Sequence, residues 1–296
     1  MEDELREVSQ SLVVELAGSI GLRNSRLAQS VIGPLFRPVT DRLARIGLTF
    51  DRNALQSGLS RAMGITLEDF ASQVTSRGAQ VFPPEGPLLV ISNHPGTYDS
   101  LVVASQLRRD DLHFISGDIP FLRKLPHANQ YFYCISDQEN GRMLAARKAI
   151  RHLQEGGAML VYGFGHIDPD PQIYEGAAEL IDHWSPSIDL FVKAAPQTRI
   201  LVAMVSGVVS PKWRNSILYQ LRSNPVDRRR LVEFGQVSYQ LLFPRRLMTS
   251  PRISFSQPAG VEELRRESGT QQVLPAVIAR AKALLSDHLE WVKTLN

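Results

Sequence analysis

One cysteine, Cys134, is all that the 296-residue chain carries, which excludes an intrachain disulfide and fits a reducing compartment. Its surroundings, Tyr131-Phe132-Tyr133-Cys134-Ile135, read as a buried strand, so the thiol is expected in the core. No apolar run reaches the roughly 20 residues that a membrane-spanning helix needs. The longest, Ile200 to Val209, is interrupted by Ser206 and Gly207. The opening Met-Glu-Asp-Glu is acidic where a secretory signal is basic. A cytoplasmic location is therefore expected, with any membrane contact made peripherally. The pattern Gly-x-Ser-x-Gly does not occur, so a serine hydrolase of the nucleophile-elbow type has no support. Repeats and low-complexity segments are absent as well. Lysine is scarce, at 6 against 27 arginines. Arginine's planar fork suits phosphates and carboxylates, and GC-rich coding gives the same bias.

What is present is ordinary for a globular chain: 43% hydrophobic and 21% charged residues, with a net charge of +3. The length suits one large domain or two small ones. Residues 1–80 read as a helical region, with breaks expected at Gly21, Pro34, Pro38 and Gly47. Thr66-Leu67-Glu68-Asp69 resembles a helix start, a capping hydroxyl followed by acids. From 81 to 260, short apolar runs alternate with helical patterns. Strands are expected at 88–92, 113–116, 131–135, 158–162 and 200–205, and helices at 100–108 and 140–154. This alternation indicates an α/β fold with a mixed, mostly parallel sheet flanked by helices. Residues 261–296 close the chain with a helix whose apolar stripe includes Leu274, Val277, Ala281, Leu285 and Val292, with Pro275 in its first turn.

Residues 211–252 hold nine basic side chains against two acids, Asp227 and Glu233, interleaved with aromatic and aliphatic residues. Two readings stand side by side. One is a solvated basic face over core hydrophobes. The other is a membrane surface, with Leu241-Leu242-Phe243 inserted and Arg245-Arg246 at anionic headgroups. No nucleic-acid motif accompanies the segment, and no nucleic-acid partner is expected.

Two His-x-x-x-x-Asp spacings occur, His94/Asp99 and His113/Asp118. His113 opens an expected strand, and strand residues an odd number apart face opposite sides. His94 comes just after a strand, and Pro95-Gly96 then turns the chain into a helix. That turn can return Asp99 to His94, at the carboxyl end of a strand where open α/β sheets bind ligands. A carboxylate that orients a histidine makes a general base. A structural turn residue is the plainer reading of His94. His166, Asp168 and Asp170 form a small polar cluster; a metal site is conceivable, but with so few ligands in view a loop rich in Asp and Pro is the plainer reading. Neither a metal nor a cofactor is expected. Gly163-x-Gly165 lacks the third glycine of a dinucleotide fingerprint.

The segment Asn93-His94-Pro95-Gly96-Thr97-Tyr98-Asp99 resembles the first motif, N-H-x-x-x-x-D, of the glycerophospholipid acyltransferase superfamily, which includes the lysophosphatidate acyltransferases. Gly117-Asp118-Ile119-Pro120-Phe121-Leu122-Arg123 resembles the second motif, and the strand ending at Gly207 resembles the fourth. Tyr162-Gly163-Phe164-Gly165-His166 lies where the third, F-P-E-G-T-R, is expected. It departs from it, with Phe164 in place of Glu and Ile167 in place of Arg.

The resemblance implies an O-acyltransferase. His94 would take a proton from an acceptor hydroxyl, with Asp99 holding the imidazole. The oxygen would attack an acyl-CoA or acyl carrier protein thioester, the acyl donor. Backbone N–H groups, with the turn after His94 as one source, would stabilise the oxyanion. Asn93, Gly96, Thr97, Phe121, Arg123, Gly163 and Gly165 are the candidates for substrate contact. The implied acceptor is a glycerolipid or lysophospholipid-like lipid, although the altered third motif counts against a glycerol-phosphate group. The same departure motivates the alternative, a catalytically inactive acyltransferase-fold protein that binds lipid at the membrane surface.

Overall fold

A computed structural model describes residues 2–19, 26–135 and 140–295; the expected break at Gly21 lies outside them. Three helices lead: α1 (Glu2–Ser19), α2 (Arg26–Ser57) and α3 (Leu59–Leu67). Helix α2 runs unbroken through Pro34, Pro38 and Gly47, which corrects the breaks expected there. Each proline removes one helical hydrogen bond. Burial of Val39, Ala44, Ile46, Leu48, Phe50 and Ala54 outweighs that loss, since a fully buried aliphatic or aromatic side chain is worth about 1.5–3 kcal/mol. The expected helix start at Thr66 is instead the end of α3. The Thr66 hydroxyl donates back to the Ala62 carbonyl at 2.9 Å, and Glu68 caps the helix C-terminus.

The strands are β1 (Thr75–Arg77), β2 (Leu88–Ser92), β3 (Leu112–Gly117), β4 (Phe132–Ile135), β5 (Ala158–Tyr162), β6 (Arg199–Ser206), β7 (Arg252–Phe255) and β8 (Ala259–Gly260). They form one eight-stranded sheet in the order β1-β7-β6-β2-β5-β3-β4, with β8 also on β6. The inner pairs β6/β2, β2/β5 and β5/β3 are parallel, whereas β7 and β8 run antiparallel to β6. The mixed, mostly parallel α/β class expected from the alternation is the one observed. Strand β2 lies at the centre and is buried throughout. A continuous apolar run without alternation marks a strand covered on both faces. Leu88 and Val90 pack into the core under α2 and α3. Leu89 and Ile91 pack into the opposite core, whose far wall is the C-terminal helix Leu274–Lys293. Cys134 is only half-buried, because β4 is the edge strand; this corrects the fully buried position expected.

Parallel register brings the carboxyl ends of β2, β5 and β6 together. Ser92 lies opposite Tyr162 on one side and Ala203 on the other. The loops leaving these three strands therefore converge on one end of the sheet, the ligand-binding end of open α/β folds.

Candidate active site

Beyond Ser92 the chain turns through His94, Pro95 and Gly96 and enters α4 (Asp99–Leu107). The turn places Asp99, fully buried, against His94: Nδ1 lies 2.7 Å from Asp99 Oδ2. The same oxygen accepts the Gly96 N–H at 3.0 Å. With Nδ1–H donated to the carboxylate, Nε2 is left to accept a proton, and the His94 side chain retains 24% exposure. The second spacing does not close. His113 Nδ1 meets the Asp111 carbonyl at 3.1 Å, while Asp118 pairs with Arg123.

Tyr162, the last residue of β5, completes the arrangement. Its ring stacks on His94 with centroids 4.0 Å apart and planes 14° from parallel, and its hydroxyl donates to Asp99 Oδ1. Both Asp99 oxygens are thus engaged, which fixes the carboxylate plane and with it the imidazole. From the loop after β5, Asp168 Oδ2 accepts the His94 N–H at 2.8 Å, and the Asp168 N–H returns a bond to the His94 carbonyl at 2.8 Å. Asp170, fully buried, accepts from the N–H groups of Gln172, Gly207, Val208 and Val209. It ties that loop to the end of β6.

A distant helix, Pro225–Leu242, supplies the last wall. Glu233, 3% exposed, accepts the Thr97 N–H. Gln236 donates to the Val208 carbonyl at 2.9 Å, which also accepts from the Tyr98 hydroxyl at 2.6 Å. Gly96 makes the close approach possible: a Cβ there would lie 2.8 Å from both Glu233 Oε1 and Val208 Cγ1.

Three carboxylates shape the electrostatics. Burial alone would lower the His94 pKa, but Asp99, Glu233 and Asp168 together raise it above 6.5. Burial pushes Glu233 up to about 7, with the Thr97 and His94 interactions pulling against it. Asp168 is pushed up to about 6 by the same desolvation, offset in part by His94. Burial and the adjacent Asp99 charge hold Tyr162 well above the ordinary phenol value, so it remains a donor.

The other expected contact residues fall into two groups. Asn93 bonds the backbone of Val205 through both ends of its amide, each at 2.8 Å, joining β2 to β6. Gly96 and Thr97, expected at the substrate, lie in the turn after His94, one expected source of N–H groups for the oxyanion, and their N–H groups are engaged by Asp99 and Glu233. Gly163 donates to the Ser92 carbonyl at 2.9 Å and admits the Trp184 ring, which a Cβ would meet at 2.2 Å. Away from these, Phe121 packs against Gly47 of α2 and Arg123 is exposed beside Asp118. Gly165 is exposed, with φ +78°. Phe164, standing where the resemblance has Glu, packs against the β2–β5 core. Two surface depressions of about 490 and 520 Å³ lie at α2 and at α3/α4, and neither is lined by His94 or Asp99. Among the described residues no group of three or more His, Cys, Asp or Glu is placed to hold a metal ion.

Tyr162 and Glu233 are the site residues that sequence reasoning missed, and Asp168 and Asp170, seen there only as a polar cluster, were not connected to His94. For Glu233 a signal existed. It is one of two acids in a basic segment, and it shares a buried helix face with Val232, Gln236, Gln240 and Leu241.

No protein-family model matches the chain, and no curated protein matches it. Among solved structures it is similar to the 1-acyl-sn-glycerophosphate (LPA) acyltransferase PlsC from Thermotoga maritima. The identity is 16%, with 95% of this chain and 97% of that chain covered and a TM-score of 0.42. A likeness at that level carries no argument about chemistry, and the functional reading rests on the site itself.

Proposed function

We propose that this protein is an acyltransferase that moves a fatty acyl group from a thioester, acyl-CoA or acyl carrier protein, to a lipid hydroxyl. The observation that carries the reading is the His94–Asp99 pair at 2.7 Å, with Tyr162 on the second carboxylate oxygen. His94 Nε2 removes the acceptor's proton as the oxygen attacks the thioester carbonyl. Asp99 stabilises the imidazolium that forms, and the imidazolium returns the proton to the departing thiolate. No covalent acyl-enzyme is required. Proton transfer by a positioned histidine contributes about 10²–10⁴-fold, and orientation of the two substrates adds to it.

The acceptor is a glycerolipid or lysophospholipid-like molecule met at a membrane surface. Among the described residues no helix is long and apolar enough to cross a membrane. Leu242 and Phe243 are 43% and 50% exposed and lie beside exposed Arg245 and Arg246, which supports peripheral contact. Leu241, grouped with them from the sequence, is buried at 4% and takes no part. Purified protein incubated with labelled acyl-CoA or acyl carrier protein and a panel of lipid acceptors tests the proposal by ester formation. No ester with any combination, while the thioester is still bound, would favour the alternative of an inactive lipid-binding protein.

A further inference from the structure

Beside the dyad, the buried Asp168 Oδ1 lacks a partner among the described residues, and so do two further buried atoms, Tyr174 OH and Arg229 Nε. Folded proteins pair nearly all such atoms, and a charged group left unpaired is costly. Asp168, 4% exposed, spends its other oxygen on the His94 N–H, which puts its carboxyl group one hydrogen bond from the His94 backbone. Arg229 precedes Glu233 by one helical turn, and its guanidinium interacts electrostatically with both Asp168 and Tyr174. Tyr174 is held from behind. Its N–H bonds the Asp170 carbonyl at 2.9 Å, Tyr219 stacks at 6.1 Å, and Arg214 lies 5.8 Å from its ring centroid.

We propose that Asp168, Tyr174 and Arg229 form a recognition subsite for a neutral, hydroxyl-rich head group, a polyol or sugar, on the acceptor that His94 deprotonates. This rests on the acyl-transfer reading and adds the class of acceptor to it. The argument is one of hydrogen-bond complementarity. The carboxylate oxygen only accepts, the guanidinium N–H only donates, and the phenol does both. Hydroxyl groups donate and accept, so adjacent hydroxyls satisfy all three. A phosphate monoester dianion, the main form above its second pKa of about 6, only accepts. It would satisfy Arg229 and Tyr174, but it would set a second negative charge against Asp168 and leave Oδ1 unpaired.

The test is calorimetric titration of the full-length protein, with no acyl donor present, with submicellar octyl glucoside and octyl phosphate. The two probes share a chain and differ in head group. The glucoside should bind more tightly. Tyr174→Phe and Arg229→Met should each weaken it about tenfold, the worth of one buried hydrogen bond. Tyr174→Phe deletes a single oxygen, so the test survives if Arg229→Met does not fold. Tighter binding of the phosphate, no binding of the glucoside, or glucoside binding that Tyr174→Phe leaves unmoved would each overturn the proposal. Because no donor is present, an absence of acyl transfer would count against the proposed function and leave this result standing.

Discussion

Glu233→Gln separates charge from hydrogen bonding at the base of the His94 turn. Glutamine keeps a carbonyl oxygen for the Thr97 N–H and nearly the same volume, but it does not titrate. In the wild type, burial holds Glu233 at about 7 against an ordinary 4.5. An acid whose folded pKa exceeds its unfolded value binds more protons in the folded state between the two. Stability therefore falls as pH rises through that window, and the cost is fully present above it. At about 1.36 kcal/mol per pKa unit, the window is worth roughly 3 kcal/mol. The stability of Glu233→Gln relative to wild type should accordingly rise by roughly 3 kcal/mol between about pH 4 and about pH 8. Urea unfolding at the two pH values measures this directly. A relative stability that stays constant across the window refutes the buried carboxyl. The substitution also removes one of the charges that raise the His94 pKa, so the acid limb of kcat/KM should move to lower pH.

Tyr162→Phe keeps the ring that stacks on His94 and removes the donor to Asp99. A hydrogen bond to a charged group is worth about 1.5–3 kcal/mol. Turnover should fall about 10- to 100-fold with the imidazole less firmly held, and a rate equal to wild type would count against the role. Gly163→Ala drives a methyl into the Trp184 ring; thermal unfolding should show a loss of about 1–3 kcal/mol from overpacking. A Leu242→Asp/Phe243→Asp pair should reduce sedimentation with anionic vesicles at least tenfold, since each burial forgone costs about 1.5–3 kcal/mol. Unchanged sedimentation would place the membrane contact elsewhere.

Strands β2 and β5 were legible to the residue, because apolar runs bounded by Gly and Pro leave few alternatives for a buried parallel strand. The His94–Asp99 pairing was legible because the turn that closes it is local, five residues long with Pro95 and Gly96 inside. Helix α2 was not. Pro34, Pro38 and Gly47 argue for breaks locally, and only the buried face, a tertiary property, overrides them. Tyr162 reaches His94 through the parallel register of β2 with β5, which no spacing along the chain encodes. Glu233 is 136 residues from Thr97, and only the folded helix Pro225–Leu242 brings the two together. A buried Asn93 that bonds β6 with both ends of its amide looks, in sequence, the same as one that faces substrate.

The central claim is that His94 is the general base of acyl transfer. Single-turnover transfer from a labelled acyl thioester to the best acceptor, comparing wild type with His94→Ala, tests it most directly. The account predicts a fall in rate of at least about 10²–10⁴-fold, with the variant still folded and still binding the thioester. Transfer by folded His94→Ala at the wild-type rate would contradict it.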